Sequence, residues 1–109
     1  MATKATIGHT AVKVQDINSM IVLLEDLLGF HVSRRAGEGE TPSNVWFEEG
    51  LQLVHDPEFE GPEGRLHHLG VLVADQAAMS RECESRGFSV VRPNWYALPD
   101  GLVLEFLQQ

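Results

Sequence analysis

The sequence predicts an α+β domain made of one unit written twice, each copy running strand, helix, strand, strand, strand. Three observations predict it. His9-Thr-Ala-Val-Lys-Val-Gln-Asp16 returns as His68-Leu-Gly-Val-Leu-Val-Ala-Asp75, with the histidine, both valines and the aspartate in place. The two copies stay in step: Gly29-Phe30-His31-Val32 is answered by Gly87-Phe88-Ser89-Val90, and Glu49-Gly50-Leu51 by Asp100-Gly101-Leu102. Apolar spacing changes from two to helical at the same point of each copy, just after the aspartate. A unit this small does not bury its own apolar face, so the two copies are expected to share a sheet or a partner chain.

Residues 7–14 alternate, with Val12 and Val14 on one side and His9, Ala11 and Lys13 on the other, which is strand periodicity. Asp16 is a natural helix N-cap. Ile17, Met20, Ile21, Leu24 and Leu28 then recur at helical spacing, and Gly29 provides the stop. Val22 and Leu23 add apolar surface beyond that stripe, either widening the buried face or meeting a second chain. Strands are expected over 30–35, 44–48 and 51–55, with a turn-rich 36–42 between the first two and Glu49-Gly50 between the others. The first module is thus placed at about 6–56 and the second at about 65–109. Between them, 57–64 is a surface linker rich in proline, glycine and acids. In the second module, residues 66–74 form a strand, Asp75 caps a helix through Arg86, and Gly87-Phe88 leads into a strand ending near Val91. Residues 94–98 and 102–107 form the last two strands around a Pro99-Asp100-Gly101 turn.

With 109 residues and a net charge of −8, the chain is sized for one domain and is a poor partner for nucleic acid or an anionic membrane. The acidity is read as solubility. The N-terminus has no apolar signal core, and no run approaches transmembrane length. Cys83 is the one cysteine, so an internal disulfide is excluded and a reducing, cytoplasmic setting is expected. Its place in a helical pattern reads as a packing thiol.

Strand parity assigns the chemistry. On the last strand Leu102, Leu104 and Phe106 share a face that should pack on the helices, which turns Glu105 to the opposite face. There it needs a partner, because an unpaired buried charge is costly. On the fifth strand His67, Leu69, Val71 and Val73 take the helix side, and His68, Gly70 and Leu72 the other. On the fourth, Leu51 and Leu53 face the helix, leaving Gln52 and Val54 opposite. His9, His68 and Glu105, with Gln52 as a fourth, can therefore line one concave face. Two imidazoles, a carboxylate and an amide oxygen suit a divalent ion such as Zn, Ni, Co, Mn or Fe(II) better than Cu(I). His31, His55 and His67 are read as ordinary strand, strand-end or surface histidines. Arg92, beside Pro93, is left open between a carboxylate-holding residue and a solvated one.

From Ile7 to Leu107 the chain resembles the vicinal oxygen chelate superfamily, which includes glyoxalase I, methylmalonyl-CoA epimerase, extradiol dioxygenases and the fosfomycin and bleomycin resistance proteins. The residues that carry the resemblance are His9-Thr-Ala-Val-Lys-Val-Gln-Asp, Leu27-Leu28-Gly29-Phe30, Leu66-His67-His68-Leu69-Gly70 and Pro99-Asp-Gly-Leu-Val-Leu-Glu105-Phe106. The resemblance implies paired βαβββ modules forming a curved mixed sheet. It implies ligands on the first and fourth strand of each module, here His9, Gln52, His68 and Glu105, a set like that of the epimerase. Aligning by the preceding glycine puts Val54 in the place of Gln52 and leaves two histidines and one carboxylate, the triad of iron(II) dioxygenases. Leu23-Leu24 stand where the family often has Phe-Tyr, and the short loops speak against glutathione or coenzyme A recognition.

The resemblance thus implies a metal-dependent enzyme acting on a small-molecule substrate held through adjacent oxygens. It would work as a lyase, isomerase or epimerase, with Glu105 handling protons. The alternatives are an extradiol-type ring-cleaving dioxygenase and a non-catalytic antibiotic-binding protein that stacks a planar drug on Trp46, Trp95 or Tyr96, each of which reads first as a core residue. Superfamily members are often homodimers, and the apolar surplus on the first helix agrees.

Overall fold

The computed structural model of the protein describes residues 4–99 and 101–109. The elements follow in the order β1 (Thr6–Val14), α1 (Ile17–Leu28), β2 (Val32–Ala36), β3 (Asn44–Phe47), β4 (Leu51–His55), β5 (Leu66–Val73), α2 (Gln76–Ser85), β6 (Ser89–Arg92), β7 (Trp95–Ala97) and β8 (Val103–Gln108). The α+β class and the twice-repeated βαβββ order are those the sequence predicts. The Pro99-Asp100-Gly101 turn falls partly on Asp100, outside the described residues. The chain divides into two compact units, one of Thr10–His67 and one of Met1–His9 with His68–Gln109. The division falls within β1 and β5, so His9 belongs to the second unit.

In the first unit the strand order is β2-β3-β4-β1. β1 runs parallel to β4, with Val12 opposite Leu53, while β2/β3 and β3/β4 are antiparallel. Asp16 starts α1 as predicted: its carboxylate accepts from the Ser19 N–H at 3.1 Å and from the Ser19 hydroxyl at 2.7 Å. Gly29 ends the helix in the left-handed region, φ 69°, where its N–H reaches the Leu24 and Glu25 carbonyls; a side chain is disfavoured at that φ. Val14, Ile17, Ile21, Val45, Phe47 and Leu53 form the core, with Val12, Met20, Leu24, Phe30 and Leu51 packed around it. Each such side chain contributes about 1.5–3 kcal/mol on full burial. Leu28, expected on the buried stripe, is instead 54 % exposed. The helix outruns its core, whose last contact from α1 is Leu24, so the final turn stays exposed among the described residues. Val22 and Leu23 are also exposed and do not widen the buried face.

The second unit has the order β5-β8-β7-β6, with the opening residues of β1 beside β5. β5 and β8 are parallel, with Gly70 opposite Glu105; β7/β8 and β6/β7 are antiparallel. Asp75 caps α2 by accepting from the Ala78 N–H at 3.0 Å. The core comprises Val73, Cys83, Tyr96 and Phe106, with Val71, Met79, Phe88 and Leu104 against it. The Cys83 thiol is buried as expected, and burial raises its pKa above the ordinary value. Tyr96 is a core residue whose hydroxyl donates to Glu84 at 3.2 Å. Leu102, grouped by parity with Leu104 and Phe106, is exposed. β8 begins only at Val103, so Leu102 precedes the strand that would have aimed it at α2. No described helix is long and apolar enough to cross a membrane.

Candidate metal centre

Three of the four ligand candidates meet inside the second unit. His68 lies on β5 two residues before Gly70, hence on the same face, and Gly70 is the register partner of Glu105 on β8. His9 comes from β1, and its ring lies over Gly70. A Cβ at Gly70 would run into the Cε1, Nε2 and Nδ1 of that ring. Glycine is therefore what lets the His9 imidazole drop toward the sheet, a use of strand glycine for close approach.

The donors form a triangle with equal sides. His9 Nε2 to His68 Nε2, His9 Nε2 to Glu105 Oε1, and His68 Nε2 to Glu105 Oε1 are each 3.2 Å. The two imidazoles stand edge to face, with centroids 5.3 Å apart and planes at 88°. His68 is 2 % exposed, and its ring packs 4.3 Å from the Trp95 indole, centroid to centroid. Burial pushes the Glu105 carboxyl up, but the hydrogen bonds from His68 and His9, with their charges, outweigh it and hold Glu105 down at about 2. Glu105 is thus a fixed anion aimed at two imidazole nitrogens.

These residues fit a divalent ion. With donor bonds of about 2.1 Å, adjacent ligands lie about 3.0 Å apart in an octahedron and about 3.4 Å apart in a tetrahedron. The observed 3.2 Å edges fall between the two. The two Nε2 atoms and Oε1 converge on one point, and once an ion displaces the Nε2 protons each would turn a lone pair toward it. The N₂O donor set suits Zn, Ni, Co, Mn or Fe(II).

Gln52 lies in the first unit, on β4, and is 5 % exposed. Its Nε2 donates to Asn44 Oδ1 at 2.9 Å, while its Oε1 is buried with no partner among the described residues. An orphaned buried acceptor is what a cation or a donor would satisfy. Val54, the other candidate at this position, is half-buried and carries no donor atom. His31 lies elsewhere, exposed, with Nδ1 3.0 Å from Glu49 and 3.8 Å from Glu48. His67 is exposed and His55 half-buried. Sequence reasoning overlooked two residues of the centre. Trp95, read as a core or drug-stacking residue, is instead a wall against His68. Gly70 was placed on the correct face, but its spacing role was not foreseen; its signal was a glycine two residues after the histidine in a strand otherwise apolar.

The fold is that of α+β proteins built from paired βαβββ modules. The chain belongs to the glyoxalase/bleomycin resistance protein/dioxygenase superfamily, whose family model matches residues 6–103. It is 30 % identical to the uncharacterized protein YwbC of Bacillus subtilis (strain 168), over 94 % of this chain and 97 % of that one. Among solved structures it resembles the 2,3-dioxygenase LapB of Pseudomonas sp. KL28 at TM-score 0.76 and 17 % identity, spanning 95 % of this chain but only 42 % of LapB. It also resembles a variant of the Streptomyces coelicolor methylmalonyl-CoA epimerase in complex with 2-nitronate-propionyl-CoA, at TM-score 0.72 and 15 % identity, over 100 % of this chain and 99 % of the other. The structural likenesses establish the glyoxalase/dioxygenase-like fold.

Proposed function

We propose that the protein is a metal-dependent enzyme of the vicinal oxygen chelate type, acting as a lyase, isomerase or epimerase on a small oxygenated substrate bound through adjacent oxygens. The observation that carries this reading is the equilateral His9–His68–Glu105 triangle. A divalent ion held there would supply Lewis acidity to the oxygens of the substrate. With an ion bound, His9 and His68 would offer their Nε2 lone pairs, and Glu105 would supply the negative charge. Gln52 is assigned as the further donor on its register in the repeat. Glu105 would be both a ligand, through Oε1, and the group that accepts a proton. A proton taken from carbon beside a carbonyl would go to Oε2, the oxygen outside the triangle.

The test is solvent exchange. Metal-loaded protein in deuterium oxide, given small 2-hydroxy ketones and 2-oxo acids, should catalyse deuterium entry beside the carbonyl, and Glu105→Gln should abolish it. Exchange no faster than buffer across the set would remove the isomerase reading. A second reading, a ring-cleaving iron(II) dioxygenase, is favoured by the two-histidine, one-carboxylate composition of the triangle; oxygen uptake with catechols would select it. The convergence of three donors favours an enzyme over a non-catalytic antibiotic-binding protein. A homodimer and a cytoplasmic setting belong to the same proposal. The first is supported by the exposed Val22, Leu23, Leu27 and Leu28 of α1 and tested by sedimentation; the second is supported by the lone, buried Cys83.

A further inference from the structure

We propose that Arg92 is the anion-recognition residue of this site, and that the substrate carries a carboxylate in addition to its chelating oxygens. The inference rests on the metal-centre reading and adds a substrate class to it. Register places Arg92 on the site face. Gly70 pairs with Glu105, Glu105 with Trp95, and Trp95 with Arg92, one residue from each of β5, β8, β7 and β6 in a row across the strands. Paired residues project to the same side of a sheet, so Arg92 shares the face of Glu105.

A bulge makes this possible. Val90 pairs with Tyr96, yet Arg92 pairs with Trp95, the next residue along, so Val91 is the extra residue. Without it, valine would stand opposite Trp95 on the site face. Bulges re-aim side chains in this way beside functional sites. The turn that follows is firmly held. Pro93-Asn94 joins β6 to β7, with Asn94 in the left-handed region at φ 68°, the conformation a proline-led type II turn requires at its third residue. The Asn94 carbonyl accepts from the Phe106 N–H at 2.8 Å, and its Oδ1 accepts from the Ser80 hydroxyl at 2.8 Å.

The side chain reaches back toward the centre. The Arg92 guanidinium carbon lies 4.9 Å from the Trp95 ring centroid, and that indole is the one packed 4.3 Å from His68. A guanidinium set over an indole keeps its N–H edge for a carboxylate, which it can hold with two parallel bonds. No acid among the described residues pairs with Arg92, although the chain has 16 acids to 8 basic residues. Arg86, by contrast, is paired with Glu82 at 2.7 Å. Strands lie about 4.8 Å apart, so β6 is roughly 10 Å from β8, and an arginine folded back over Trp95 spans about half of that. A carboxylate roughly 5–7 Å from the chelating oxygens would bridge the rest.

The probes are 3,4-dihydroxybenzoate and its neutral isostere 3,4-dihydroxybenzamide, titrated by calorimetry into zinc-loaded protein. The benzoate should bind roughly tenfold tighter than the amide, the gain of one charge-assisted pair. Arg92→Gln should bring the ratio to about one, and Arg92→Lys should retain part of it, with zinc content unchanged in both variants. Equal binding of the two probes by the unmodified protein, or a preference that survives Arg92→Gln, overturns the role of Arg92 and leaves the metal reading intact. If zinc loads but neither probe binds, chelation fails and the Arg92 proposal falls with it.

Discussion

Gly70→Ala is a one-carbon change whose effect should appear in metal affinity, not in folding. Alanine for glycine within a strand is ordinarily neutral or favourable. Here the new Cβ would run into the His9 ring, and even the most distant of the three ring atoms, Nδ1, would be only 2.7 Å away. Non-bonded heavy atoms settle at about 3.5–4.0 Å, so the imidazole must retreat by about 1 Å. Metal–ligand distances tolerate about 0.2 Å. The variant should therefore lose His9 as a ligand, with affinity falling by roughly 100-fold or more against a competing chromophoric chelator. The metal-free protein should still fold and give an unchanged circular dichroism spectrum. The double variant His9→Ala/Gly70→Ala separates the causes. If Gly70 acts only through His9, adding Gly70→Ala to His9→Ala should change affinity little. Wild-type affinity in Gly70→Ala, or full additivity with His9→Ala, would refute the reasoning.

Two other predictions concern single side chains. Gln52→Met keeps volume while removing the orphaned Oε1, whose burial without a partner is worth about 1–3 kcal/mol, and also removes the bond to Asn44, worth about 1 kcal/mol. The metal-free variant should accordingly melt at or above the wild-type temperature, while added metal should raise its melting point less than it raises that of wild type; equal metal-induced shifts would remove Gln52 from the ligand set. The His31–Glu49 pair should respond to pH in two directions. His31 is raised above its ordinary 6.5, chiefly by the hydrogen bond to Glu49, so its stabilisation is fully present below 6.5 and is lost as pH rises through the raised value. Glu49 is lowered below its ordinary 4.5 by hydrogen bonds from His31, so its share is present above 4.5 and lost as pH falls through the lowered value. The His31 ring resonances should titrate above the ordinary value in wild type and move toward it in Glu49→Gln; an unchanged midpoint would show that the pair does not form in solution.

Much of this architecture was written in period and repeat. The strands alternate so regularly that parity alone turned His68 and Glu105 to one face, and the second copy of the histidine motif drew in His9. Caps at Asp16 and Asp75 fixed both helix starts. What stayed hidden depends on distances between strands or on the reach of an element. Leu28 has the right helical phase but lies beyond the core it was assigned to, and Leu102 has the right parity but precedes its strand. The Val91 bulge reverses the phase of β6 with no local signature. Gly70 reads as an ordinary strand glycine until the His9 ring is found above it. Trp95 looked like packing because nothing in the sequence says that β7 lies beside β8 with Trp95 opposite Glu105.

The central claim is that His9, His68 and Glu105 hold a divalent ion, and metal stoichiometry tests it most directly. Tag-free protein purified without chelator should carry about one equivalent of zinc, nickel, cobalt, manganese or iron by mass spectrometry, or take up that amount on reconstitution. His9→Ala and His68→Ala should each lose it. Protein that takes up no metal, or His68→Ala with full occupancy, would contradict the account.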